Sequence, residues 1–411
     1  MKPASGPTPK PGEAARPARR NVLFLGLTSF FTDWSSEMIF PLMPTFMAEA
    51  LGIPKSLIGL IDGFSESLSS VLKAVSGRLS DVIRRRKALV AAGYAVSSAS
   101  KPFLALAYSW PAVLLIRVLD RAGKGIRTAP RDALLAASAG KKRRGRAFGF
   151  HRAMDTAGAV AGSLTAFVLM KILRGNPYRW IFLLSAIPAW IAVAFVVAGV
   201  KESRFPSPPV SPQASRPSSR RWSRGLKLLL LSTIVFGLGD YTLTFFLLRV
   251  REMGVGAAFI PLAYLLFNVV YSLVAYPGGM AADRWGKKPV LAAGYLVYAT
   301  AALGFAFLDR AAFAWVLMGI MGLYMALSDS TSRALVSDFA SEERRGGILG
   351  WYHAGVGLVD LPAALLAGAL WDLASSRLVF LTGAILALAA FCILLPVREE
   401  KSISYAVNSE Q

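Results

Sequence analysis

Stretches of about 20 predominantly apolar residues, the length a helix needs to cross a bilayer, recur along nearly the whole chain. They can be placed at 21–47, 56–82, 88–109, 111–138, 146–172, 178–200, 226–250, 257–282, 288–308, 311–337, 346–372 and 376–397. A single core cannot absorb that much apolar surface, so the surplus must face lipid. Composition agrees: 55% of residues are hydrophobic and 17% charged, with mean hydropathy +0.49, where soluble domains carry about 25% charged residues. The expectation is an all-α integral membrane protein of twelve transmembrane helices. The fourth and fifth spans carry enough charge that a hydropathy window alone would rank them low.

Twelve is even, so both termini lie on one side. Lys and Arg near helix ends number 28 on that side and 8 on the other, which by the positive-inside rule makes it the cytoplasmic side of the cell membrane. The net charge of +22 would suggest nucleic acid in a soluble chain. Here it is gathered in alternate connections, and no nucleic-acid partner is expected. Residues 1–20 are Pro-rich and basic and read as a disordered cytoplasmic tail rather than a signal peptide. Residues 201–225 are Pro/Ser/Arg-rich and read as a flexible cytoplasmic linker between helices 21–200 and 226–397, and 398–411 form a second tail. The single cysteine, Cys392, allows no disulfide framework and no Cys-based metal cluster.

The two halves repeat each other. "GRLSDVIRRRK" follows the second span and "GGMAADRWGKK" the eighth, so Gly77 and Asp81 match Gly279 and Asp283 at an offset of 202, which Arg131 and Arg333 keep. "RRGRAFGFHRAMD" and "ERRGGILGWYHAG" match Gly145 and Gly149 to Gly346 and Gly350 at 201. The third, sixth, ninth and twelfth spans are the most uniformly apolar, Lys101 being their one interior charge. This suggests three-helix units with a peripheral third member facing lipid.

These features resemble transporters of the major facilitator superfamily over residues 21 to 397. The carrying motif is the loop Gly-x-x-x-Asp-(Arg/Lys)-x-Gly-(Arg/Lys)-(Arg/Lys). Its second copy is Gly279, Asp283, Arg284, Gly286, Lys287 and Lys288. The first copy has Gly77 and Asp81 but Val82 for the base and Arg84 for the glycine, with the basic run through Arg85, Arg86 and Lys87 beside them. The resemblance implies two pseudo-symmetric six-helix bundles around a central cavity, opening alternately to each side. It also implies that the loop Asp meets the positive end of a helix in the other half to close the cytoplasmic side; local capping is the alternative.

The charged residues inside the spans are candidates for the chemistry. Asp33 and Glu37 share one helical face about halfway across the first span, where a carboxylate must be protonated or paired. Acidic residues ahead of Pro41 and Pro44 in the first helix resemble the drug/proton antiporters of the superfamily. Asp240, in "GLGDYTL" of the seventh span, stands about where Asp33 does. In the second span Asp62 and Glu66 are four apart, and Glu66 is expected to pair with Lys73. In the fourth, Arg117, Asp120, Arg121, Lys124, Arg127 and Arg131 form a stripe about 21 Å long. It either pairs with the acids of the first two helices or offers positive charge to an anionic or zwitterionic substrate. His151, Arg152 and Asp155 fall together in the fifth span, and His353 and Asp360 in the eleventh. A proton relay or transition-metal ligation is conceivable for either group. Asp329 and Arg333 most simply pair with each other.

No phosphate loop, zinc, nucleophile or cofactor motif is present, so neither an ATP-driven pump nor an enzyme is expected, and no cofactor beyond a coupling proton. The leading expectation is a monomeric secondary transporter exporting a small molecule in exchange for protons, with Asp33, Glu37, Glu66 and Asp240 as the coupling carboxylates. The alternatives are uptake or exchange of an organic anion or metabolite, and metal-ion export.

Overall fold

A computed structural model describes residues 15–83, 85–139, 143–202, 223–339 and 345–397. Most of both expected tails and of the linker, and the side chain of Asp81, lie outside the described residues. Twelve helical spans are present: α1 (Ala15–Ile39), α2 (Lys55–Ile83), α3 (Arg86–Ser100), α4 (Trp110–Ala139), α5 (Arg144–Ile172), α6 (Pro177–Leu184 running on as Ala186–Ala194), α7 (Arg224–Gly239 and Leu243–Glu252), α8 (Ile260–Trp285), α9 (Lys287–Phe307), α10 (Ala311–Asp338), α11 (Arg345–Leu373) and α12 (Ser376–Leu394). Among the described residues there is no strand. Among the described residues, nine of the helices are long and apolar enough to cross a membrane on composition alone. The fifth is one of them, with a mean hydropathy of 1.4 that ranks it low among the nine, as expected. The three that fall short are α1, α2 and α4, whose polar side chains are gathered on one inward face.

The helices form two six-helix bundles with matching packing. In the first, α2 packs on α4, α3 on α4, and α1 on α5 and α6; in the second, α8 packs on α10, α9 on α10, and α7 on α11 and α12. The bundles meet along two symmetry-related pairs, α2 with α11 and α5 with α8. α9 packs on α10 and α12 and keeps Pro289, Ala293, Leu296, Thr300, Leu303 and Phe307 exposed along one outward stripe, as expected of a lipid-facing third member.

Contacts between bundles are concentrated on the side away from the termini. There the amides of Lys55 and Ser56 donate to Asp372 at 3.0 and 2.8 Å, Arg251 pairs with Glu49 at 2.7 Å, and Phe40 packs on Tyr264. A side chain at Gly59 would collide with the backbone carbonyl of Ala364, so the glycine permits α2 and α11 to touch. Nearer mid-depth, Ser67 donates to the carbonyl of Gly357 at 2.7 Å and Arg152 reaches Tyr271 at 3.3 Å. Beyond that level, toward the termini, no hydrogen bond or ion pair among the described residues joins the bundles. The molecule is therefore closed on the far side and open on the side of the termini.

Candidate functional site: the cavity of the first bundle

The inward face of the first bundle encloses a cavity built from three helices. From α1 come Asp33, Ser36 and Glu37, with Phe40 of the 3-10 turn that follows it; from α4, Arg117, Asp120, Arg121, Lys124 and Arg127; and at the end of α3, Lys101. Spacing explains the placement. Asp33 and Glu37 are one helical turn apart, and the α4 cations recur at three- and four-residue steps, so each set lies along one stripe. Lys101 stands where α3 tightens into the 3-10 turn Lys101–Leu106 ahead of Pro102, and its ammonium donates to the hydroxyls of Ser35 and Ser36 at 2.9 Å each.

Three of the eight charges lining it are paired. Arg117 donates to Asp62 at 3.1 Å, and Arg121 meets Glu66 at 3.0 Å. Asp120 accepts from Ser97 at 2.5 Å and lies 4.0 Å from Arg117. The α4 stripe thus pairs with α2, and the expected Glu66–Lys73 ion pair is not formed: Arg121 is a closer and more deeply buried partner for Glu66. Removing one member of the buried Arg117–Asp62 pair costs about 3–5 kcal/mol. The second oxygen of Asp62 accepts from the Thr244 hydroxyl of the other bundle.

The other charges carry no ion pair within 4.0 Å among the described residues: Asp33, Glu37, Lys101, Lys124 and Arg127. Lys124 and Arg127 are within electrostatic reach of Asp33, as is Asp155 of α5. Lys101, Arg121 and Lys124 are within electrostatic reach of Glu37, as is Tyr264 of α8. One Glu37 oxygen and one Arg127 nitrogen, Nη1, are buried without a hydrogen-bond partner. The Arg127 guanidinium lies 4.3 Å from the centre of the Tyr94 ring, a cation–π contact that offsets part of its desolvation.

Outside this cavity the expected groupings change. His151 lies 3.4 Å from Asp155, which also accepts from Ser29 of α1. Arg152, expected with them, turns instead to the second bundle, where Tyr271 in turn donates to Asp329 at 3.1 Å. Asp329 pairs with Arg333 at 2.5 Å, as expected. His353 lies edge-on to Tyr352 and makes no contact with Asp360 or His151 among the described residues. Asp240 sits at a break in α7, between Gly239 and Leu243, and accepts from the Tyr324 hydroxyl. Tyr298 donates to the carbonyl of Gly239, capping the first half of the broken helix.

In the loop motif, Gly286 adopts φ +100°, which lets α8 end and α9 begin without a connecting segment. Lys287 pairs with Asp338 of its own bundle at 2.6 Å. Asp283 and Arg284 are exposed, and no bond from Asp283 to the first bundle is present among the described residues. The closing contact expected of it is absent from this conformation, because the bundles are parted there. Gly279 has nothing within 4 Å of its Cβ direction, and Gly77 only Ala129 at 3.4 Å. Arg85 is exposed and precedes α3, whose first residue is Arg86.

Two residues of the site were only half legible. Lys101 is visible in the sequence as a lone charge in an apolar span, but not as a neighbour of α1. Tyr264 has no sequence signal, because it reaches Glu37 from the other bundle.

A family model for the Major Facilitator Superfamily matches residues 25–247 and 229–409. The chain belongs to the Major Facilitator Superfamily. An uncharacterized MFS-type transporter of Methanocaldococcus jannaschii is 37% identical over 392 residues, spanning 94% of this chain and 97% of the relative. The multidrug resistance protein MdtH of Aeromonas hydrophila is 23% identical over 87% of this chain and 89% of its own length. Among solved structures, the nucleoside transporter NupG superposes with TM-score 0.72 at 14% identity, covering 91% of this chain and 99% of that one. A bacterial homologue of the lysosomal transporter Spinster, in an inward-facing and occupied conformation, gives 0.73 at 14% identity over 90% and 95%. These structural likenesses establish the superfamily fold. This superfamily transporter is thus a multi-pass membrane protein that moves a small molecule across the bilayer.

Proposed function

We propose that this transporter exports a small molecule in exchange for protons, and that Asp33 and Glu37 carry the protons. The carrying observation is that these two carboxylates line the open cavity with no ion-pair partner, while Asp62, Glu66 and Asp120 are engaged. A carboxylate on a water-filled cavity, surrounded by cations it does not touch, can alternate between protonated and ionised states as the cavity changes sides. The charge bias places the termini in the cytoplasm, so the conformation described is inward-open. Likeness to a multidrug resistance protein supports the outward direction. In the opposite conformation Asp283 would come against the first bundle and close the cytoplasmic mouth.

The test uses purified protein in liposomes with an imposed pH gradient, across lipophilic cations, organic anions, sugars and divalent metals. One class should evoke proton movement. In Asp33→Asn and Glu37→Gln, uphill transport of that class should be lost while downhill exchange persists. Full uphill transport in both variants, with the pH dependence of the parent protein, would remove the assignment.

A further inference from the structure

The unpaired charges of the cavity are of both signs, and they face each other without touching. Asp33 and Glu37 stand on α1; Lys124 and Arg127 on α4 are within electrostatic reach of Asp33, and Lys101 is within reach of Glu37. None of the five makes an ion pair within 4.0 Å among the described residues, although elsewhere in the same cavity α2 and α4 close their opposite charges to 3.1 and 3.0 Å. Arg127 is 6% exposed and Lys101 2%. One nitrogen of Arg127 and one oxygen of Glu37 are buried with no hydrogen-bond partner. Buried charges left in this condition are costly, and a ligand that completes both sets removes that cost.

We infer that the exported molecule is a zwitterion, its cationic group held by Asp33 and Glu37 and its anionic group by Lys124 and Arg127. This rests on the proton-exchange reading and sharpens it. A cation entering between Asp33 and Glu37 competes with the protons on them, which is what antiport requires. A simple anion would instead favour the protonated carboxylates and move with protons rather than against them. A simple cation would displace the protons but leave Lys124 and Arg127 without a counter-charge. Only a molecule bearing both groups satisfies the two sides together while releasing protons.

The experiment measures proton release from liposomes holding the full chain on addition of ω-amino carboxylates of increasing length, aryl-substituted members included. The alkylammonium and alkanoate of each length serve as controls. At the best length the zwitterion should exceed both controls by about tenfold or more, ~1.4 kcal/mol of preference. Lys124→Gln and Arg127→Gln should bring it down to the alkylammonium level. If the alkylammonium or the alkanoate does as well as the zwitterion in the parent protein, the inference fails. Should lipophilic cations move protons while no zwitterion does, the inference again fails and proton exchange stands. If no compound moves protons, both readings fall. The ranking of the three classes in the unsubstituted protein decides the matter even where a variant does not fold.

Discussion

In the first bundle α2 and α4 are joined by buried ion pairs, Asp62 with Arg117 and Glu66 with Arg121. Their counterparts in the second bundle, α8 and α10, meet, among the described residues, through the single hydrogen bond of Tyr271 to Asp329 and through close backbone packing at Gly322. The same contrast holds for the acids of the leading helices. Asp33 of α1 faces cations across an open cavity, whereas Asp240 of α7 lies beside rings, bonded to Tyr324 and close to the stack of Phe236 on Tyr295, whose centroids are 4.1 Å apart. Two bundles of one topology can therefore be held by ion pairs or by aromatic packing. The fold does not require the charges of the first bundle.

Several substitutions would break or sharpen this contrast. The largest effect is expected from Asp33→Asn combined with Glu37→Gln, which should abolish proton-coupled uphill transport in liposomes. Asp240→Asn, its counterpart in the second bundle, should leave coupling in place. Next, Glu66→Gln should destabilise the protein by about 2–3 kcal/mol, because it leaves Arg121 without its ionic partner at the cavity wall. Thermal unfolding in detergent would show this, and the double variant Glu66→Gln with Arg121→Met should recover most of it. Tyr324→Phe leaves a buried Asp240 oxygen unsatisfied and should cost about 1–3 kcal/mol by the same assay, with coupling retained. A larger loss from Tyr324→Phe than from Glu66→Gln would blur the distinction between an ionic and an aromatic bundle.

The smallest effect is expected at Asp309, in the connection between α9 and α10. Hydrogen bonds from Arg249 and Arg377, which lies at the start of α12, hold its carboxyl below the ordinary carboxylate range. A depressed native value means its contribution is complete above the unfolded-state pKa of about 4 and is lost only as pH falls through the native one. Asp309→Asn should thus lower the unfolding temperature slightly at neutral pH and converge with the parent protein in acid.

How far these features could be read in advance depended on the range of the interaction. Helix number, termini on one side and the internal repeat follow from hydropathy and spacing, which are local or periodic, and most helices end within a few residues of the expected places, while α1, α3 and α6 give way to 3-10 or π turns six to nine residues before the expected ends. That Asp33 and Glu37 share a face, and that α4 carries a charged stripe, follow from the helical period alone. Partner choice does not. Glu66 was matched to Lys73 on its own helix, yet Arg121 of α4 takes it, because helix packing brings a cation nearer than the same-helix neighbour. Arg152 leaves His151 and Asp155 for Tyr271 for the same reason. The α7 break at Asp240 carries no proline, and its stabilising hydroxyls come from Tyr298 and Tyr324, 58 and 84 residues further along the chain; no short window contains them.

The central claim is that proton exchange belongs to the charged cavity of the first bundle and not to the aromatic surroundings of Asp240. The most direct measurement compares substrate-evoked proton flux in liposomes for Asp33→Asn and Asp240→Asn, at matched protein content and with downhill exchange as the control for folding. The account predicts that flux disappears in Asp33→Asn and persists in Asp240→Asn. Flux that survives in Asp33→Asn and is lost in Asp240→Asn would contradict it.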